Sequence, residues 1–398
     1  MAHLRNLFLR HIAQTTASPL MLDIERAEGM YLYDRSGKSY MDLISGISVS
    51  SLGHGNQKVI KAIKEQAESY LHIMVYGELI QSPQVQLAQK IASLVPMGDD
   101  TSVYFTNSGS EAIEGAMKLA KRYTGRSHFV SLTNAYHGST HGPLSLTADP
   151  YYSDFYRPLL PNITRISLNN TEQISAITSQ TAAVFIEPIM GEAGYLVSDP
   201  NWLKEVRERC NQTGSLLVFD EIQCGMGRTG SIFAFENLGV IPDVLVLSKA
   251  MGAGMPLGCF IAPKKIMDAL ASNPILGHIS TFGGHPVCCA ASLAGLEYLL
   301  DNKLYESVNK KEKKWRSCLK HPKFGNISGK GLMLGLTLPS KEFCFELVSR
   351  CIDKGLLTDW FLYAPNKLRI APPLIITEEQ IEHACNIICE AASSIQIN

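Results

Sequence analysis

Short apolar runs recur through the middle of the chain, at residues 103–106, 129–132, 183–186, 216–219, 244–247 and 258–262. Each is bounded by turn or polar residues, as expected of strands buried on both faces. Between them, residues 111–123 and 202–212 carry apolar side chains at helical spacing. This alternation predicts an α/β fold with a mainly parallel sheet covered by helices on both sides. Upstream, 31–34 and 40–43 flank Ser36-Gly37 and read as a small hairpin. Near Leu304 the chain changes character. A helix with Lys310, Lys311, Lys313 and Lys314 begins there, read as a solvated face, and Thr377 with Gln380 caps the last helix. At the N-terminus, Leu4, Leu7, Phe8 and Ile12 lie at helical spacing among basic residues. The segment lacks the continuous apolar core of a secretory signal and reads as a docking helix, with a mitochondrial presequence as the alternative.

A chain of 398 residues is long enough for two or three domains. Lysine and arginine number 36 against 37 acids, a balance that calls for neither nucleic acid nor an anionic membrane. No apolar run approaches the ~20 residues needed to span a bilayer. The 10 cysteines are scattered without zinc-like or secreted spacing. Cys385 and Cys389 beside His383 read as free thiols on a core-facing helix, so no metal and a reducing, cytoplasmic setting are expected.

Three segments carry candidate chemistry. Thr106-Asn107-Ser108-Gly109-Ser110-Glu111 follows a strand and opens a helix, with capping-box spacing between Ser108 and Glu111. It is either a phosphate-binding helix start or an ordinary strand–helix turn. Asp220 and Glu221 close the strand at 216–219, where a carboxylate either holds a protonated ring nitrogen or merely caps the strand end. Lys249 leaves the strand at 244–247 into a glycine-rich segment, as a desolvated nucleophile or as a surface lysine. Gly225-Met226-Gly227-Arg228-Thr229-Gly230 matches a dinucleotide fingerprint, but four residues separate it from Phe219 and no helix pattern follows. It reads as a glycine-rich turn, which leaves a nicotinamide enzyme as a distant alternative.

Together these segments resemble the class III aminotransferases. The resemblance runs from Tyr31-Leu32-Tyr33-Asp34 and Gly53-His54 to Leu368-Arg369-Ile370-Ala371-Pro372-Pro373. It implies an aspartate aminotransferase-like fold, with a large cofactor domain at 51–300 and a smaller α+β domain from 1–50 and 301–398. It also implies pyridoxal 5'-phosphate, bound to Lys249 as a Schiff base. Ser108, Gly109 and Ser110 would hold the phosphate. Tyr136, beside His137, and Ile222 would cover the ring faces. Asp220 would bind the ring nitrogen and Gln223 the phenolic oxygen. Thr281 would reach the phosphate of the neighbouring subunit, making a homodimer with shared sites. Glu192 would pair with Arg369, freeing it to clasp glutamate or 2-oxoglutarate, so an amino donor and a 2-oxo acid are the expected partners.

Two positions depart from the pattern: Met190, where glutamine is common, is the smaller departure, and Ser139 is the one that matters. Ornithine-, acetylornithine- and 4-aminobutyrate-type enzymes usually carry an arginine where Ser139 stands, which puts those donors in doubt and favours lysine, diamines and related ω-amines. A racemase or aminomutase on the same scaffold is the first rival, and a non-catalytic protein that kept the fold is the second.

Overall fold

A computed structural model describes residues 2–147 and 149–396. At its centre lies a seven-stranded sheet in the order Thr101–Thr106, Gly258–Pro263, Val244–Leu247, Leu216–Asp220, Thr181–Ile186, His128–Leu132, Ile163–Ile166. Six of these strands are the apolar runs read from the sequence. The seventh, Ile163–Ile166, is an edge strand with only Ile166 fully buried, which is too sparse a pattern to stand out. Gly258–Pro263 runs antiparallel to both its neighbours, and the remaining pairings are parallel. The reason is chain length: a parallel return needs a crossover of about a dozen residues or more, and only 248–257 intervene.

Successive side chains of the sheet feed two cores. Phe185, Val218, Val244 and Val246 pack with the helix Gly109–Thr124. Val184, Leu217, Phe219 and Leu245 face the other core, to which the helix Pro200–Thr213 adds Trp202, Leu203 and Val206. Burying one such side chain is worth roughly 1.5–3 kcal/mol. A one-residue slip of a strand would exchange the two sets, so the register is fixed.

Both chain ends build the smaller α+β part. Ile24–Glu28, Tyr31–Asp34 and Ser39–Asp42 form an antiparallel meander, and Leu356–Leu357 joins its last strand in parallel. A second antiparallel sheet combines Ile327–Lys330, Met333–Thr337, Lys367–Ile370 and Asp359–Trp360. Thr377 and Gln380 exchange reciprocal hydrogen bonds of 3.2 and 3.0 Å at the start of Glu378–Ser394, as the sequence predicts.

The lysine-rich helix Val308–Cys318 corrects one expectation. Its charges are not simply solvated: Lys310 pairs with Glu378, Lys314 with Glu382, and Lys311 donates to the Leu374 carbonyl. The run clamps the last helix to its neighbour. The G-x-G-x-x-G segment is a turn, with Gly227 and Gly230 at φ 87° and 93°. It buries Arg228, which donates to the carbonyls of Leu332 and Pro372 and to Ser51 Oγ. A nucleotide role is thereby replaced by a strut between the two parts of the molecule. The N-terminal helix Ala2–His11 lies on the surface with Leu4 and Leu9 exposed. Cys385 is a buried free thiol and Cys389 a half-buried one. Among the described residues no helix is long and apolar enough to cross a membrane.

Candidate active site

The C-terminal ends of the parallel strands open on one cavity of about 160 Å³, where open α/β sheets keep their sites. Each strand end delivers its own group. Thr101–Thr106 leads to Ser108, Gly109 and Ser110, and His128–Leu132 to Tyr136 and His137. Thr181–Ile186 leads to Glu187 and Glu192. Leu216–Asp220 ends in Asp220, with Ile222 and Gln223 beyond it. Val244–Leu247 leads to Ser248 and Lys249.

The first turn of Gly109–Thr124 forms one wall. Ser108 Oγ accepts from Glu111 N at 3.2 Å, but the expected return bond is redirected. Glu111 instead accepts from Asn107 N at 2.9 Å and Asn107 Nδ2 at 2.8 Å. Among the described residues, the N–H groups of Ser108, Gly109 and Ser110 are left without an acceptor. Free N–H groups at a helix start form an anion site. Gly109 packs closely on Ile222: a Cβ there would stand 2.7 Å from Ile222 Cδ1 and push that side chain aside.

Asp220 and His137 form the floor. Asp220 Oδ2 lies 2.7 Å from His137 Nδ1, and Oδ1 accepts from Ile222 N at 3.0 Å. Burial alone would lower the His137 pKa, but the hydrogen bond and charge of Asp220 outweigh it and raise it. Glu187 accepts from Tyr136 N at 2.9 Å and Gly191 N at 2.8 Å, fixing the segment that carries Tyr136. Burial, with Asp220 nearby, pushes the Glu187 carboxyl up to about 7. Glu221, by contrast, turns away into the core. It accepts from Ala234 N and Phe235 N, so it is a buried cap and not an exposed strand-end acid.

Lys249 is no surface lysine. It is half-buried and lines the cavity, and desolvation lowers its pKa against the opposing pull of Glu192. Its backbone sits at φ 50°, a left-handed conformation uncommon outside glycine that tends to cluster at functional sites.

Glu192 and Arg369 meet as the sequence implies, with Arg369 Nη2 2.9 and 3.0 Å from the two Glu192 oxygens. Burial would raise the Glu192 carboxyl, but Arg369 holds it below its ordinary value. Two further residues complete the arrangement. Asp359 Oδ1 lies 2.8 Å from Arg369 Nε, an ion-pair contact whose angle falls short of a hydrogen bond. Burial pushes the Asp359 carboxyl up to about 6. Tyr195, buried at φ 58°, accepts from Gln223 Nε2 at 3.2 Å and from Arg369 Nη1 at 3.5 Å, linking the cavity to the arginine.

Sequence reading did not single out Glu187, Tyr195, Ser248 or Asp359 as site residues. Glu187 and Tyr195 flank Glu192 within the acid- and glycine-rich segment after a strand, which was the available signal. Asp359 belongs to a two-residue strand distant in sequence and gave none. Three expected residues do not line the cavity: Arg369, which is held behind Glu192, Thr281 and Ser139. Thr281 is exposed, its carbonyl accepting from His72 Nε2 at 2.8 Å. Ser139 is exposed at the cavity mouth, its hydroxyl 3.0 Å from Tyr136 OH.

A family model described as aminotransferase class-III matches residues 12–392. The chain belongs to the class-III aminotransferases. It is 37% identical to an acetylornithine aminotransferase of Archaeoglobus fulgidus over 95% of this chain and 97% of that one. It is 38% identical to an acetylornithine aminotransferase of Methanocaldococcus jannaschii over 93% of each chain. An ornithine aminotransferase from Toxoplasma gondii superimposes with a TM-score of 0.91 at 27% identity, covering 99% of this chain and 94% of that one. An omega transaminase from Pseudomonas jessenii, solved in complex with PMP, gives 0.90 at 26% identity, covering 98% and 97%. This class-III aminotransferase is therefore an enzyme that transfers amino groups.

Proposed function

We propose that the enzyme works with pyridoxal 5'-phosphate attached at Lys249 and exchanges an amino group between a donor and a 2-oxo acid, 2-oxoglutarate or glutamate, by a ping-pong cycle. The reading rests on one observation: a half-buried lysine of lowered pKa, a carboxylate–histidine pair and an unclosed helix start all face a single cavity. That donor set fits the cofactor. The free N–H groups of Ser108, Gly109 and Ser110 suit its phosphate, and Asp220 suits a protonated ring nitrogen. Tyr136 and Ile222 suit its two faces, and Gln223 its phenolic oxygen. When bound, the cofactor supplies a conjugated ring that takes up the electron pair left when a substrate carbon loses its proton.

The chain's own groups supply the rest. His137, whose pKa Asp220 raises against the effect of burial, holds that carboxylate in place from below at 2.7 Å. The lowered pKa of Lys249 leaves Nζ free to accept a proton and hand it back. Arg369 offers a planar fork to a substrate carboxylate, and Glu192 holds it until the substrate arrives. Thr281 serves the phosphate of a second copy, so the active form is a homodimer. The same reading divides the chain into 1–50, 51–300 and 301–398 and places it in the cytoplasm, in keeping with its ten free thiols.

Borohydride reduction of the holoenzyme followed by peptide mapping tests this directly. The label is expected on Lys249, and a Lys249→Ala protein should fold yet turn over nothing. A label on another lysine, or an active Lys249→Ala enzyme, overturns the reading.

A further inference from the structure

A second cavity, about 540 Å³, opens beside the first and shares Tyr136 with it, while Ser139 stands on its rim. Its far wall is a short stretch following Pro150. Tyr151 and Tyr152 pack edge to face with centroids 4.9 Å apart, and Tyr152 meets Tyr363 in the same way at 5.3 Å. Tyr152 OH donates to the Leu362 carbonyl, and Tyr136 OH is engaged with Ser139. Two of the five lining phenol groups are thus already occupied by the protein. Tyr151 is 77% exposed and Phe155 90% exposed, a concentration of large apolar surface that a free surface seldom carries. No lysine, arginine, aspartate or glutamate is among the described lining residues.

A carboxylate entering this cavity would lose water without gaining a lysine or arginine, His141 being the one lining side chain able to carry positive charge, and a second ammonium would find no carboxylate. An aromatic or other apolar group loses nothing on entry and gains ring contacts. We propose that this cavity receives the far end of the amino donor and that this end is uncharged and apolar, by preference an aromatic ring. The proposal rests on the transamination reading above and narrows the donor from ω-amines in general to arylalkylamines. In the half-reaction, R–CH2–NH2 and the cofactor aldehyde become R–CHO and the cofactor amine. The nitrogen with its two hydrogens and one hydrogen from the donor carbon move to the cofactor, the carbonyl oxygen moves the other way, and no outside oxidant is consumed.

The test compares 3-phenylpropylamine, 4-aminobutyrate and 1,4-diaminobutane as single-turnover donors to the holoenzyme, with glutamate run alongside. The phenyl amine should exceed both others in kcat/KM by roughly tenfold or more, the scale on which apolar pockets discriminate. Phe155→Ala, at a position too exposed to threaten folding, should erode that advantage severalfold. Ser139→Arg should raise 4-aminobutyrate at the expense of the phenyl amine. A readout apart from turnover uses 3-phenylpropan-1-ol, which has no amine to transfer. It should raise the Tm of the holoenzyme and compete with the phenyl amine, whereas 4-hydroxybutyrate should do neither. The proposal is overturned if a charged-ended amine is preferred, if no amine reacts while glutamate does, or if Phe155→Ala leaves the preference intact. If glutamate also fails to react, the transamination reading falls together with it.

Discussion

Replacing Arg369 by alanine separates its role in binding from its role in the fold. In the wild type its guanidinium is buried between Glu192, at 2.9 Å, and Asp359, at 2.8 Å. Removing it leaves two carboxylates facing each other without a cation, and breaking a buried pair in this way costs about 3–5 kcal/mol of stability. The pH dependence has a definite sign. Arg369 holds the Glu192 carboxyl below its ordinary value of 4.5, so the pair's contribution is present above that pH and fades as pH falls through the lowered value. Without Arg369, burial alone acts and raises both carboxyls. The variant should therefore lose most stability relative to wild type near pH 8 and least near pH 4. Catalytically, loss of a desolvated charged contact costs about 2–5 kcal/mol. At about 1.4 kcal/mol per tenfold, that is roughly 30- to 4,000-fold in kcat/KM for glutamate or 2-oxoglutarate. A donor without a carboxylate should be slowed only a few-fold. Stopped-flow single turnovers at pH 8 measure the two half-reactions separately, and urea melts at pH 4 and 8 measure the fold. Equal damage to both half-reactions would make Arg369 a purely structural residue and refute the argument.

Three further outcomes are expected. Asp220→Asn should cut turnover by several orders of magnitude while the protein stays folded, because an amide cannot hold a proton on a ring nitrogen; near-wild-type rates would reduce Asp220 to a strand cap. Glu221→Gln tests a buried acid outside the site: two backbone N–H groups favour its carboxylate, but burial outweighs them and raises its pKa from 4.5 to about 8. Its stabilisation is therefore full below pH 4.5 and is lost as pH rises through 8, so the substitution should flatten that fall in stability, and an unchanged slope in urea melts would count against it. Lys249→Ala protomers mixed with Thr281→Ala protomers should give heterodimers that recover activity over the Thr281→Ala homodimer, since one site then has both groups intact; no recovery would remove the cross-subunit role.

The sequence alone was enough for the six central strands, the helices beginning at Gly109 and Pro200 and the cap at Thr377. Their signals are local: apolar period, turn residues and capping spacing are all written within a few positions of one another. Lys249 and Asp220 were singled out for the same reason, since each lies at the end of a run that reads as a buried strand, whereas Gln223 came only from the family resemblance. Tertiary structure decided what depends on distance through space. Asp359 reaches Arg369 by the pairing of Asp359–Trp360 with Lys367–Ile370, and no periodicity encodes that approach. Glu221, beside Asp220 in sequence, points into the opposite core, because successive side chains at a strand end take opposite directions and only the packed sheet says which side holds the cavity. The clamp formed by Lys310, Lys311 and Lys314 was read as a solvated face because a charge run looks the same whether water or a neighbouring helix lies opposite. The aromatic cavity brings residues near 150 against Leu362 and Tyr363. Two polar-flanked loops far apart in the chain became one apolar surface only when the small part of the molecule closed over the ends of the sheet.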